Sequence, residues 1–332
     1  MIGTSLTRGD VSATVDAIAR VQRPDGSIPW YERGQVDPWN HVEAAMALDV
    51  GGRHAEAARA YRWLIDHQRP DGAWHAAYRE GEVVDPTLDT NLCAYVATGL
   101  WLHLLCGAPD DEMRAGLACV ERALAFVLAM QADDGAVWWA RDARDRPWRR
   151  ALVTGSSSIH LSLACAARLA EALEVPHPEW EIARLRVGHA LRTAPRSFKD
   201  KRRWAMDWYY PVLCGVITGA EAHTRLASRW EEFVVPMHGV RCTSDQPWIT
   251  AAETCELAMA LVRSDDLDRA AELLDWAQHL RGDDAAYWTG ANFTDGCIFP
   301  PDVQPTWTAA AVVLADNAIS GGLVTRVLDA TR

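Results

Sequence analysis

Gln22-Arg-Pro-Asp-Gly26-Ser-Ile-Pro-Trp30 and Gln68-Arg-Pro-Asp-Gly72-Ala-Trp74 are one phrase written twice. A looser copy runs from Gln131 through Gly135 to Trp138 and Trp139, and a degraded one from Gln278 through Asp284 to Trp288. Pro-Asp-Gly is turn chemistry, because Pro fixes φ and Gly supplies the positive-φ position. The Gln amide is placed to bond backbone left open at a helix end, and the Trp to pack the loop down. A phrase repeated between helical stretches signals a repeat architecture.

Working outward, each copy follows an amphipathic helix and precedes a more apolar one. Helices with one charged face are predicted near 10–22, 54–68, 111–130, 179–193, 220–232 and 267–280. Between them lie stretches rich in Ala, Leu, Val and Cys, apolar on most faces and therefore buried. These begin near Asp37, Asp89, Ser156, Asp207, Asp245 and Gln304. Six outer–inner pairs with unequal loops fit an all-α, single (α/α)6 toroid over 1–332 better than an open solenoid. No segment reads as a strand, so no sheet is expected.

The Gln-x-x-Asp-Gly-x-Trp phrase at Gln68–Trp74 resembles the repeat of the terpenoid-cyclase and protein-prenyltransferase α/α toroid superfamily. The resemblance implies the ring fold and, as one reading of function, carbocation chemistry on an isoprenoid or prenyl diphosphate. The chemical signatures of that superfamily are missing. The Asp-x-Asp-Asp acid of class II cyclases is absent, and Asp85-Pro-Thr-Leu-Asp89-Thr-Asn91 keeps only separated carboxylates. Asp265-Asp266-Leu-Asp268 falls one residue short of the Asp-Asp-x-x-Asp metal motif. Asp295-Gly-Cys297 matches the prenyltransferase zinc pair, but no His follows Cys297, and turn chemistry accounts for Asp-Gly equally well. No cofactor and no metal are expected, zinc at Asp295 and Cys297 being the minor reading.

The loops leading into the inner helices crowd one face of such a ring. Candidate catalytic residues there are Asp89, Glu43, Asp245, Asp207 and His41. Asp37, Asp207 and Asp245 also suit N-caps, and His41 also suits a core histidine. Glu43 lies inside an otherwise apolar helix, where a carboxyl needs a partner or a raised pKa. With 16 Trp against 5 Phe and 7 Tyr, a stacking surface is expected from Trp39, Trp74, Trp139, Trp208, Tyr209, Tyr210, Trp248 and Trp307. Arg149, Arg150, Arg202 and Arg203 belong to a basic cluster in two adjacent loops, which reads as a solvated face or as an anion site. Ser156, Ser157 and Ser158, at a helix start, would add to such a site.

Three functions remain open. Aromatic walls suit a carbocation. Trp platforms with opposed carboxylates suit a glycan-active hydrolase or lyase, which the polar mouth and low Phe count favour. A non-catalytic binding ring would have every carboxylate paired and no cavity. A net charge of −12 excludes a general nucleic-acid or membrane-surface binder. No apolar run is long enough for a bilayer span. The eight cysteines form no C-x-x-C pair and read as free thiols in a reducing compartment. A small-molecule substrate and a cytoplasmic location are expected, with homo-oligomer formation left open.

Overall fold

The computed structural model describes residues 5–332. Fourteen α-helices dominate the described residues. Charged outer helices alternate with apolar inner ones: α1 (Arg8–Val21) with α2 (Pro38–Val50), α3 (His54–Asp66) with α4 (Thr90–Leu105), α5 (Asp110–Leu128) with α6 (Val153–Ala172), and α7 (Pro178–Thr193) with α8 (Ala205–Leu213). Next come α9 (Gly219–Ser228) and the short α10 (Trp230–Phe233) with α11 (Ala251–Arg263), then α12 (Leu267–Trp276) with α13 (Thr306–Ile319), and last α14 (Leu323–Leu328). The inner helices pack in a cycle, α2 on α4, α4 on α6, α6 on α8, α8 on α11, α11 on α13, and α13 back on α2. Their inward and lateral faces form one apolar core. α14 packs against α4 and α13, and the turn after it against α6, so the C-terminal segment floors the cycle.

The repeated phrase is a joint between outer helices. Gln22 Nε2 donates to Gly26 O of its own loop (3.0 Å) and to Glu56 O of α3 (2.8 Å). Gln68 Nε2 donates to Gly72 O and to Cys119 O of α5, both at 2.9 Å. Gln131 Nε2 donates to Gly135 O (3.1 Å) and to Ala183 O of α7 (3.2 Å). Each amide thus serves the next helix in the ring rather than the end of its own. The degraded copy sits three residues later than the sequence reading placed it. Arg281 stands in the Gln position and bridges to Asp10 of α1 through Nη1 at 2.7 Å. Ala285 takes the glycine's positive φ, at 66°. That joint ties the last outer helix region back to the first.

Sheets are present, contrary to expectation. Ten strands of two to four residues form three small antiparallel sheets. One holds β1 (Ala77–Arg79) and β2 (Glu82–Asp85). The second holds β3 (Leu88–Asp89), β4 (Ala140–Arg141) and β5 (Pro147–Trp148), in order 3-4-5, with Asp89 opposite Ala140. The third runs β10-β9-β8-β7-β6, from β6 (Val234–Val235), β7 (Gly239–Arg241), β8 (Trp248–Thr250), β9 (Gly290–Asn292) and β10 (Ile298–Phe299). Strands this short carry no period-2 pattern. They arise because long loops run side by side at the mouth, and their backbone groups pair with one another.

No single helix among the described residues is long and apolar enough to cross a membrane. All eight cysteines are free, five of them buried.

Gly72 has φ 86°, and a Cβ there would lie 2.1 Å from Arg122 O of α5. Gly107 has φ 92° with nothing within 4 Å. Gly72→Ala is therefore expected to cost at least about 3 kcal/mol in urea unfolding, strain plus clash. Gly107→Ala should cost only about 1–2 kcal/mol, the positive-φ penalty alone.

Candidate active site

The starts of α2, α4, α6 and α8 border one mouth, and those of α2, α4 and α8 carry carboxylates. Asp37 caps α2: Oδ1 accepts the Asn40 N–H at 3.0 Å, and Oδ2 accepts Asn40 Nδ2 at 2.7 Å and the Trp30 indole N–H. Asp89 caps α4, with Oδ1 accepting the N–H groups of Asn91 (2.8 Å) and Leu92 (3.1 Å). Asp207 lies in the first turn of α8 rather than at its cap, and its Oδ1 accepts Thr154 Oγ1–H from the start of α6 at 2.9 Å. Burial raises all three carboxyls above the ordinary range, more than the donors lower them, with Asp89 up to about 6.

Asp89 and Asp207 line one cavity of about 280 Å³. Its walls are Trp39, Trp139, Trp204, Met206, Val137, Leu152 and Ile159, and Lys201 stands at its edge. Asn91 Oδ1 and Ser156 Oγ belong to residues lining this cavity, are buried, and have no hydrogen-bond partner among the described residues. Trp39 also lines a second, more polar cavity of about 410 Å³, with Trp30, Asp37, Asn40, Arg79 and Asp85. Both cavities therefore border Trp39. A ring with every carboxylate paired and no cavity, the non-catalytic reading, is not what the mouth shows.

The remaining candidates fall elsewhere. Glu43 lies a turn below Trp39 and outside both cavities, bonded to Trp39 Nε1 (3.2 Å) and Tyr95 Oη. Tyr209 and Tyr210 are buried and donate to Glu256. His41 is a core histidine: Nδ1 accepts the Ile28 N–H at 3.0 Å, Nε2 donates to Ala60 O at 2.9 Å, and burial pushes the ring down to about 4. Trp74 is fully buried with its N–H on Leu64 O, and Trp208 is stacked on Phe233 with its N–H on Arg225 O. Both are pillars of the core, not ligand platforms. Trp248 is 45% exposed on β8 against Phe299, away from both cavities. Trp307 packs edge-on against Trp30.

Asp245 is corrected too. The fifth inner helix begins at Ala251, so Asp245 is an exposed loop residue paired with Arg203 at 3.0 Å. Arg202 pairs with Asp200 at 2.8 Å, Arg150 donates to Arg196 O, and Arg149 lies over the Trp138 ring at 5.2 Å. Arg202 and Arg203 border a separate groove with Asp200, Arg229 and Ser244. Of the basic cluster, Lys201 is the member that lines the first cavity. The Asp295 carboxylate is taken up by Asn292 Nδ2 and the Cys297 N–H, a turn. Among the described residues no three His, Cys, Asp or Glu side chains converge as metal ligands.

Two carboxyls escaped the sequence reading. Glu253 lies in the first turn of α11, its Oε2 accepting Thr250 Oγ1–H at 2.5 Å. Glu256 lies a turn further in. Both follow from the helix start at Ala251; placing it at Asp245 hid them.

The folded value of Asp89 exceeds the unfolded one, so the folded state holds the proton more tightly. That contribution is full below about pH 4 and is lost as pH rises through about 6. Water still reaches part of the side chain and screens it, so the cost at pH 7 is on the order of 2 kcal/mol. Asn caps a helix as well as Asp does. Asp89→Asn is therefore expected to raise Tm at pH 7 and to leave it nearly unchanged at pH 4, in thermal scans at both pH values.

No established family model matches the sequence. The chain is 45% identical over 315 residues to the MMP endo-(1,4)-3-O-methyl-α-D-mannosidase of Mycolicibacterium hassiacum, covering 95% of this chain and 87% of that protein. A drimenyl diphosphate synthase of Streptomyces showdoensis is 29% identical over 118 residues, covering 35% of this chain and only 20% of that protein. A wild-type glycosidase structure superposes with TM-score 0.73 at 14% identity, covering 94% of this chain and 96% of that one, a likeness of fold. The local match to the synthase does not carry the isoprenoid reading, whereas the full-length match carries the glycan one. The chain belongs to the family of the MMP endo-(1,4)-3-O-methyl-α-D-mannosidase and is a glycan-active enzyme.

Proposed function

We propose that the chain is an endo-acting glycoside hydrolase that cuts an α-(1→4)-linked, 3-O-methylated mannoside chain laid across Trp39. We read residues 5–332 as one (α/α)6 toroid whose mouth is the cleft. The observation that carries the reading is the first cavity itself, with two carboxyls, Asp89 and Asp207, and two unpartnered polar atoms, Asn91 Oδ1 and Ser156 Oγ, beside an aromatic wall. Buried polar atoms without partners are costly, and sugar hydroxyls supply both donors and acceptors. The apolar wall of Val137, Leu152, Ile159 and Met206 suits a sugar whose hydroxyl is capped by a methyl group. The second cavity gives room for sugars on the other side of the cut, which internal cleavage requires.

In this reading Asp89, protonated up to about pH 6, gives its proton to the glycosidic oxygen as the C1–O bond breaks. Asp207 takes a proton from the water that attacks C1, so one water is consumed and each product carries one new hydroxyl. Asp89 and Asp207 stand on inner helices separated by the N-terminus of α6. Two helix steps of ~8–10 Å each suit the wider carboxyl separation of a single displacement by water rather than the close pair of a double displacement, and hence inversion at C1.

The test is hydrolysis of an α-(1→4)-linked 3-O-methylmannose oligosaccharide, followed by mass spectrometry of the products and NMR of the new anomeric centre. Shorter internal fragments are expected, with the anomer inverted. Asp89→Asn and Asp207→Asn should each lower kcat/KM by about a thousandfold. Full activity in both variants, with loss only in Glu253→Gln, would move the chemistry to α11 and refute the assignment.

A further inference from the structure

Beneath Trp39, on the axis of the ring, lies a polar assembly that the hydrolytic reading does not use. Glu43 is one helical turn after Trp39 on α2 and accepts the indole N–H at 3.2 Å. The same carboxylate oxygen accepts the hydroxyl of Tyr95 from α4. Across the axis, Glu256 of α11 accepts the hydroxyls of Tyr209 and, at 2.6 Å, of Tyr210 from α8. The rings of Tyr95 and Tyr210 lie 5.4 Å and 6.2 Å from the Trp39 ring, Tyr210 edge-on. Glu43, Tyr95, Tyr210 and Glu256 wall a chamber of about 40 Å³, which α14 borders through Val324, Val327 and Leu328.

This assembly does not owe its place to stability. Burial pushes Glu43 up and Glu256 up to about 8, so desolvation outweighs the hydroxyl donors at both. No cation pairs with either carboxyl among the described residues. Leucine or methionine at these points would extend the apolar core at less cost. What carboxyl and tyrosine groups provide and apolar ones do not is direction. A hydrogen bond to the indole N–H fixes rotation of the ring about its Cβ–Cγ bond, a freedom that packing alone limits only to broad wells.

We propose that Glu43 is a positioning residue: through the Trp39 N–H it holds the indole in the plane that divides the cleft, with Tyr95 and the Tyr210–Glu256 pair bracing the ring. The inference rests on the cleft reading above. It places the determinant of sugar-ring stacking below the cleft, on a group that touches no substrate.

The experiment is a mutant cycle in the full chain, with KM and kcat read on an α-(1→4)-linked 3-O-methylmannose oligosaccharide and Tm read in parallel. Glu43→Leu should raise KM about tenfold, the loss of one buried hydrogen bond, with kcat changed less than KM and Tm within about 4 °C. Glu43→Gln keeps an accepting oxygen and should restore KM to within about twofold of the parent. Trp39→Phe, which lacks the N–H, should match Glu43→Leu, and the double variant should be no worse than Trp39→Phe alone. Tyr95→Phe should give a smaller rise in KM and serves in place of Glu43→Leu if that variant does not fold. An unchanged KM in Glu43→Leu, or effects that add in the double variant, would overturn the proposal. Trp39→Ala separates the two levels: intact oligosaccharide affinity there refutes the cleft itself, whereas weak binding in Trp39→Ala beside normal binding in Glu43→Leu refutes only the role of Glu43.

Discussion

The side-chain amide of Gln68, bonded at once to Gly72 O of its own loop and Cys119 O of the next outer helix, is the interaction on which the rest depends. Its counterparts at Gln22 and Gln131 set the same step, and Arg281 sets the closing one. The step is rigid because the loop backbone approaches the neighbouring helix so closely that Gly72 has no room for a Cβ. Outer helices held at fixed spacing hold the inner helices in turn, so that α13 meets α2. Thr306 completes the seam at the mouth, its N–H on Trp30 O and its hydroxyl on Pro29 O.

The cycle brings the starts of α2, α4, α6 and α8 to one cavity, and that crowding sets the character of its carboxyls. Asp37 and Asp89 are caps in the ordinary sense, satisfying backbone N–H groups. In an isolated helix such donors and the helix dipole would depress a carboxyl pKa. At both carboxyls desolvation overrides them, and at Asp89 the facing walls are Trp, Met and aliphatic side chains. In the proposed hydrolysis Asp89 thus serves as helix cap and as proton donor, and stability at neutral pH is lower for it.

Much of the architecture is legible in the sequence, because it rests on helical periodicity and on a turn phrase that repeats. Outer helices end within a few residues of where charge and apolar spacing place them, α7 most closely. The loops are not legible: β3 through β5 are two residues each, and no alternation can show in two residues. Tryptophan count alone does not separate Trp39, which borders two cavities, from Trp74 and Trp208, whose N–H groups are spent on core carbonyls. Part of the basic cluster is neutralised for a reason visible in the string itself. Asp142, Asp145 and Asp200 are interleaved with Arg141, Arg146 and Arg202, and pair with them. Glu253 and Glu256 were hidden by a helix start placed six residues early, at Asp245.

The toroid resemblance pointed to alternating outer and inner helices, which the chain has alongside small sheets, and left the chemistry open, because a mouth of aromatic and acidic residues serves cations and sugars alike. Wall character distinguishes them: unpartnered polar atoms beside an apolar wall fit a sugar that carries both hydroxyl and methyl groups. The most direct measurement is a crystal structure of Asp89→Asn soaked with an α-(1→4)-linked 3-O-methylmannose oligosaccharide. Sugar rings on both sides of Trp39, with a glycosidic oxygen within hydrogen-bond reach of residue 89, are the expected result. An oligosaccharide confined to one cavity, or bound with its glycosidic oxygens away from residue 89, would contradict internal cleavage across Trp39.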